Sequence, residues 1–499
     1  MTGLSSPRSV DRRVVGAARG RCRVVASVVR PPTRPAALPA FVDGLEVRAD
    51  LVGDLPPTVL GARHGIETIY SLRSAAEGGA FTGGAHERAR RLLDAATRYD
   101  VVELEAERDL TPELLDALAV HRRRISWRGP ATRMSTLAAR SAWLTATPAR
   151  QYLVETRPEN AEQALLPLRL LAFLRRADIT AFAGGESGGW TRLLAPRLGA
   201  PVISGLVGES GVDGEPSVRQ LVGDYHFPAL PEVRTLFGIV GGTVCASLSP
   251  RLHNAAYRAL GLPALYLPFA VADLRSFWRH TAVEEFGFTF GGATVVSPHK
   301  EVATRIARTV SSEARASGAA NLLVRRRNGW RAFSTDPVGV VEALRCGGVD
   351  LAGRRTVVVG CGGAGRGAAV GLLRAGARPT LVNRGSERGR YSARLLGLDH
   401  VPLARFDPAD YDLVVHATTV RDHVPFPVDR MASGSVVLDL TYGPRRTELV
   451  AAAEKARLAV LDGWDVLVVE VARQFRLMTG RSMPPITAEL LRSSARVSE

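Results

Sequence analysis

From residue 23 to about residue 207, short runs rich in Val, Ile, Leu and Tyr alternate with amphipathic stretches. The runs lie at residues 23–29, 45–49, 67–72, 101–105, 124–127, 152–155, 179–183 and 201–205, and most precede a helical pattern such as residues 86–97. This is the rhythm of a parallel sheet, and eight such strands predict an α/β barrel. A polar, glycine-rich stretch over residues 208–216 and a connecting segment over 218–233 lead into a second βα series starting at Leu236, so a domain boundary is expected near residue 235. The second series divides into an α/β lobe over 236–345, a lobe over 346–462 that contains a glycine turn, and C-terminal helices over 463–499. Those helices, with an apolar pattern over 467–475, are expected to pack back on the first lobe and leave a cleft between the two.

Composition narrows this picture. A chain of 499 residues is too long for one core. With 46% hydrophobic and 23% charged residues it has the balance of a soluble globular protein. No apolar run approaches the ~18 residues of a spanning helix, which predicts no membrane partner. Cys22, Cys245, Cys346 and Cys361 are scattered and lack metal-ligand spacing, which predicts no metal and a reducing, cytoplasmic setting. The formal charge of +16 would suit polyanions or small anionic substrates, but the arginines are spread along every segment rather than grouped with aromatics, so no nucleic-acid partner is expected. Residues 1–20 are rich in Arg, Ser and Gly with one acid, Asp11, and read as a disordered tail or an organelle transit peptide.

The candidate chemistry starts at residues 356–359, a short buried-strand pattern that runs into Gly360-Cys361-Gly362-Gly363-Ala364-Gly365 and a helical pattern over 367–373. Strand, glycine turn and helix form the setting in which backbone amides and a helix N-terminus receive a pyrophosphate, so this lobe is predicted to be a Rossmann dinucleotide-binding lobe with Gly360, Gly362, Gly363 and Ala364 at the cofactor. The next strand, over 379–382, ends in Asn383-Arg384 instead of an acid for a ribose 2′-hydroxyl. Arg384, with Arg388 nearby, suits a 2′-phosphate and predicts NADP. Of the 65 basic residues only Lys300 and Lys455 are lysines. Arginine supplies charge equally well but keeps its proton, so a lysine at Lys300, in Pro298-His299-Lys300-Glu301, reads as chemically used, whereas Lys455 lies in an exposed-looking helical stretch. Asp336 precedes a helical pattern over 337–344 with Pro337 at its start, which also fits an N-cap.

Several spaced motifs carry a family resemblance: Phe237-Gly238-Ile239-Val240-Gly241, Ser247-Leu248-Ser249-Pro250, His253-Asn254, Ser297-Pro298-His299-Lys300-Glu301, Gly318-Ala319-Ala320-Asn321, Ser334-Thr335-Asp336-Pro337, and Asp439-Leu440-Thr441-Tyr442 with Pro444 and Thr447. In this order they resemble shikimate dehydrogenases over the whole C-terminal half. The resemblance implies reduction of 3-dehydroshikimate by NADPH, with Ser247 and Ser249 on the substrate carboxylate, Asn321 and Asp336 on ring hydroxyls, Tyr442 and Glu470 at the substrate, and Lys300 in proton transfer. The departures are Thr294 and Val296 for Asn and Thr, Ser334 and His416 for Asn, and Glu470 for Gln. A carboxylate at 470 disfavours a nearby anion, so quinate or an amino analogue is an alternative substrate.

The N-terminal half resembles type I dehydroquinate dehydratases through Glu46-Val47-Arg48-Ala49-Asp50, Leu72-Arg73 with Glu77-Gly78-Gly79, and Val102-Glu103-Leu104-Glu105. That family works through a lysine Schiff base helped by a histidine. Here Arg128, in Ile125-Ser126-Trp127-Arg128, stands where the histidine belongs, and no lysine precedes residue 300. The expectation is a degenerate barrel site of Glu46, Arg48, Arg73 and Arg128 that has lost the dehydratase reaction. The loss also leaves open a non-enzymatic pathway sensor.

Overall fold

A computed structural model describes residues 21–31, 38–56, 65–208, 214–280, 283–443 and 445–485. The tail expected at 1–20, Pro444, part of the stretch over 208–216 and the last of the C-terminal helices lie outside these residues. The chain packs as two compact units: residues 1–236 with 243–247 and 263–290, and residues 237–242, 248–262 and 291–499.

The first unit is built on eight parallel strands: β1 (Arg23–Val28), β2 (Gly44–Arg48), β3 (Glu67–Ser71), β4 (Val101–Glu105), β5 (Arg123–Gly129), β6 (Gln151–Thr156), β7 (Ile179–Ala183) and β8 (Val202–Leu206). They pair in the order β7-β6-β5-β4-β3-β2-β1-β8, the barrel-type succession expected from the alternating pattern. The segment expected to link the domains is partly helical. Ser217 caps the helix Val218–Gly223 through a capping box with Gln220, and Val218 and Leu221 are buried. Residues 263–290, expected in the dehydrogenase half, pack with this unit instead. Their strand β10 (Ala264–Ala270) lies on the helix Gly185–Leu194, with the Phe269 and Trp190 rings 5.1 Å apart. The expected boundary at 235 therefore marks where one sheet ends but not where the packing divides.

The second unit holds two sheets. In the first, the strands of this unit run β9 (Thr235–Gly241), β11 (Thr289–Val295), β13 (Leu322–Arg326), β14 (Gly329–Phe333) and β12 (Thr309–Val310). The second is parallel, in the order β17 (His400–Pro402), β16 (Thr380–Asn383), β15 (Thr356–Val359), β18 (Leu413–His416), β19 (Val436–Asp439), β20 (Ala459–Leu461). The long helix Gly463–Thr479 returns to the first of these lobes, where Leu467 and Val471 pack on Leu252 of the helix Ser249–Ala259.

The two lobes meet through helices. Gly363, Gly367 and Gly371 fall four apart on the helix Gly363–Arg374 and so share a face. A Cβ on Gly367 would stand 2.6 Å from the Asp336 Cβ, and one on Gly371 would collide with the Pro337 carbonyl oxygen. Only bare glycines let the helix Asp336–Cys346 approach this closely, and that contact brings the glycine turn to the lobe of the first sheet.

Candidate functional site

Lys300 opens the helix Lys300–Ile306, and Asp336 is the first residue of Asp336–Cys346. The side chain of Asp336 makes no capping bond, so its N-cap reading is corrected: Thr335 occupies that position and Asp336 turns to the lysine. Lys300 Nζ donates to Asp336 Oδ1 at 2.7 Å. Asn321 Nδ2 donates to the same oxygen at 3.1 Å and to Thr335 Oγ1 at 2.8 Å, and Asn321 Oδ1 accepts from the Thr335 amide at 2.8 Å. Asn321 thus fixes the start of the helix that carries the carboxylate. Burial acts to lower the Lys300 pKa, but Asp336 and Glu470 outweigh it and hold the ammonium above the ordinary lysine value. A charged donor is available at neutral pH, next to the turn: a Cβ on Gly363 would stand 3.0 Å from the Cβ and Cδ of Lys300.

Gln474 was not singled out from sequence. It accepts from Thr294 Oγ1 at 2.8 Å and donates to Thr335 Oγ1 at 3.1 Å, so Thr294 has a partner on the last helix. Its four-residue spacing from Glu470 was the signal available. Tyr442 packs on Trp464 with ring centroids 5.4 Å apart, beside the cluster that joins the Ser249–Ala259 and Gly463–Thr479 helices, and Ser249 is buried at the start of the former. Ser247 lies in the segment 243–247 that packs with the first unit.

Gly360 adopts φ +109°, the left-handed region a side chain avoids, and a Cβ on Gly365 would collide with the Gly360 carbonyl oxygen. The helix begins at Gly363 and Ala364 stands in its first turn, while a Cβ on Gly362 would meet nothing within 4 Å. This is an open cradle at a helix N-terminus, and it fits a pyrophosphate. Asn383 Oδ1 accepts from the Cys361 amide at 3.1 Å, so that residue braces the turn. Arg384 is exposed past the end of β16. Arg388 pairs with Glu301 at 3.0 Å, and Glu301 also holds the buried Arg366 at 2.8 Å, a link that sequence reasoning missed. His416 is buried between Asp439 (3.0 Å) and Thr418 (2.6 Å) on the same lobe. Lys455 is exposed.

In the first unit, alternation along β5 puts Arg124, Ser126 and Arg128 on one face of the strand. Arg124 bridges Glu46 and Glu103. Arg128 reaches Glu103 at 2.8 Å, and Glu77 and Glu155 at 3.2 Å. Arg48 pairs with Asp50 at 2.8 Å, and Arg192 with Glu215 and Ser204 at 2.7 Å. Burial pushes the Glu46, Glu103 and Glu155 carboxyls up, but the surrounding arginines overcome it and hold all three below the ordinary range. Burial instead prevails at Glu77, pushed up to about 8, and the Arg73 guanidinium is lowered to about 10 by burial and by Arg128. The cavity left among these groups is about 40 Å³, lined by Glu46, Arg48, Arg73, Arg128, Glu155 and Arg192 among others, which is room for little more than water. Arg124 and the carboxylates of β4 and β6 were not recognised from sequence as one network.

Residues 239–323 match the shikimate dehydrogenase substrate binding domain, and residues 35–229 match type I 3-dehydroquinase. A shikimate dehydrogenase (NADP(+)) of Syntrophobacter fumaroxidans is 36% identical over 263 residues, 51% of this chain and 90% of that protein. The chain belongs to the shikimate dehydrogenase family. A bifunctional 3-dehydroquinate dehydratase/shikimate dehydrogenase of Arabidopsis thaliana, chloroplastic, is 25% identical over 487 residues, 89% of this chain and 78% of that protein. The structure of a dehydroquinate dehydratase and shikimate dehydrogenase from S. pombe aligns with 22% identity and a TM-score of 0.43, covering 96% of this chain and 98% of that one. Family membership agrees with the order of the motifs around Lys300, Asn321 and Asp336. Among the described residues no helix is long and apolar enough to cross a membrane, and no group of His, Cys, Asp and Glu is set to hold a metal.

Proposed function

We propose that the second unit reduces 3-dehydroshikimate to shikimate with NADPH, and runs the reverse oxidation with NADP. The observation that carries the reading is the Lys300–Asp336 pair, 2.7 Å apart, next to a glycine turn open to a dinucleotide. Bound NADPH would supply the hydride to the ketone carbon. The chain's own part is the proton. Lys300, kept charged, donates it to the ketone oxygen as negative charge develops there, and Asp336 steadies the ammonium before transfer and directs the amine afterwards. Asn321 and Asp336 would meet ring hydroxyls, Ser249 the ring carboxylate, and Tyr442 the ring's surroundings. Gly360, Gly362, Gly363 and Ala364 would cradle the pyrophosphate, braced by Asn383, with Arg384 and Arg388 at the 2′-phosphate.

For the first unit the proposal is that dehydratase chemistry is lost. A guanidinium is neither nucleophilic nor deprotonated at neutral pH, and the strand β6 facing Arg128 carries Gln151, Leu153 and Glu155 but no lysine.

The decisive experiment is NADP-linked oxidation of shikimate by the purified protein and by Lys300→Met. The variant is expected to lose about 10²–10⁴-fold in kcat with NADP binding retained, the range for a lost proton donor. Parental kcat in the variant would refute the mechanism.

A further inference from the structure

Glu470 and Gln474 share a face of the Gly463–Thr479 helix, and Gln474 fixes which way that face points, through its bonds to Thr335 and Thr294. One turn back, Glu470 lies over the first turn of the Asp336–Cys346 helix. Its Cγ and Oε1 stand 2.6 and 3.1 Å from where a Cβ on Gly339 would be, so a bare glycine is what admits it. Here the Asp336 carboxylate is unevenly served. Its Oδ1 takes both Lys300 and Asn321, while Oδ2 is buried without a hydrogen-bond partner. An orphaned carboxylate oxygen is costly, and the group at hand is another carboxyl. Charge gives the same answer. Lys300 and Asp336 already cancel, so a second ionised carboxylate would leave an unbalanced negative charge beside a largely buried ion pair.

We infer that Glu470 is a protonated carboxylic acid at neutral pH and donates its hydrogen to Oδ2 of Asp336, as a positioning residue that holds the carboxylate in register with Lys300. This rests on the dehydrogenase reading of the same site and deepens it. As a neutral acid, Glu470 both donates and accepts, as an amide would, so a polyhydroxylated ring acid remains the substrate class. On ionisation its proton goes to bulk water, the two carboxylates repel, and Lys300 is drawn between them. Burial and Asp336 push Glu470 up to about 8, against the pull of Lys300. The charged groups facing it are Asp336 and Lys300. The Ser249–Ala259 helix brings His253 onto Phe475 of the same long helix, and burial pushes that imidazole down to about 3, so it stays neutral throughout.

The test is the KM for shikimate, with NADP saturating, from about pH 6.5 to about pH 9.5 in the full chain and in Glu470→Gln. Wild type should match the variant at the acid end and then rise roughly tenfold per unit above about pH 8, while Glu470→Gln stays flat. Superimposed profiles overturn the inference, as does a flat wild-type profile should the variant not fold. Infrared difference spectra give a readout independent of turnover: a protonated-carboxyl band present at neutral pH in wild type, bleached at alkaline pH and missing in Glu470→Gln. Its absence from wild type at neutral pH overturns the inference. If wild type does not oxidise shikimate at all, the proposed function fails while the infrared result still decides the state of Glu470.

Discussion

At Arg384 the proposed choice of cofactor rests on a single side chain. It stands past the strand end where an acid would read a ribose hydroxyl, and it is exposed, so a 2′-phosphate can reach it with little desolvation. A charge-assisted contact contributes about 1.5–3 kcal/mol, so Arg384→Ala should raise the KM for NADP roughly 10–100-fold and leave the weaker use of NAD nearly unchanged. Equal losses with both cofactors would mean that the residue supports the fold and does not read the phosphate. Lys300 was singled out in the sequence because arginine supplies charge but keeps its proton, and the structure sets its ammonium 2.7 Å from Asp336. Gln474 and Arg124 were not legible. Neither residue type is unusual, and each gained its role only from the neighbours that folding supplied: Thr294 and Thr335 for one, Glu46 and Glu103 for the other.

Among the elements, the eight strands of the first sheet were readable to within a residue or two, because each is a short apolar run set off by an amphipathic helix. The helix beside the glycine turn was readable as a motif, but the purpose of its glycines was only half visible. Gly360 and Gly362 serve the cradle, whereas Gly367 and Gly371 serve the neighbouring helix. Mutation separates the two duties. Gly371→Ala drives a methyl group against the Pro337 carbonyl and should cost about 1–3 kcal/mol, seen as a lower Tm with or without NADP. Gly362→Ala meets open space, so its Tm without cofactor should match wild type, while the stabilisation by added NADP shrinks as the methyl group enters the pyrophosphate path. An unchanged Tm for Gly371→Ala would show that the two helices can part at no cost.

At the scale of the molecule, one chain carries two family signatures, and the chemistry proposed for them differs. Treating the protein with dehydroquinate and borohydride is expected to leave no covalent adduct on the first unit, because trapping needs an amine that β6 does not have. A stable adduct mapped to residues 21–236 would restore the dehydratase. Sequence alone did not reveal that residues 263–290 pack with that unit. Pattern gives the period of an element, but the choice of surface it covers depends on the shapes it meets, here Trp190 against Phe269.

The arginine-for-lysine habit has a last effect inside the barrel. Arg124 and Arg128 stay cationic at any pH the fold survives, and Glu46, Glu103 and Glu155 stay anionic down to acid conditions, so the interior is densely ionic and yet almost proton-inert. Glu77 alone among these groups exchanges a proton near neutrality. This half presents a fixed electric field around a water-sized void, suited to holding its own walls together.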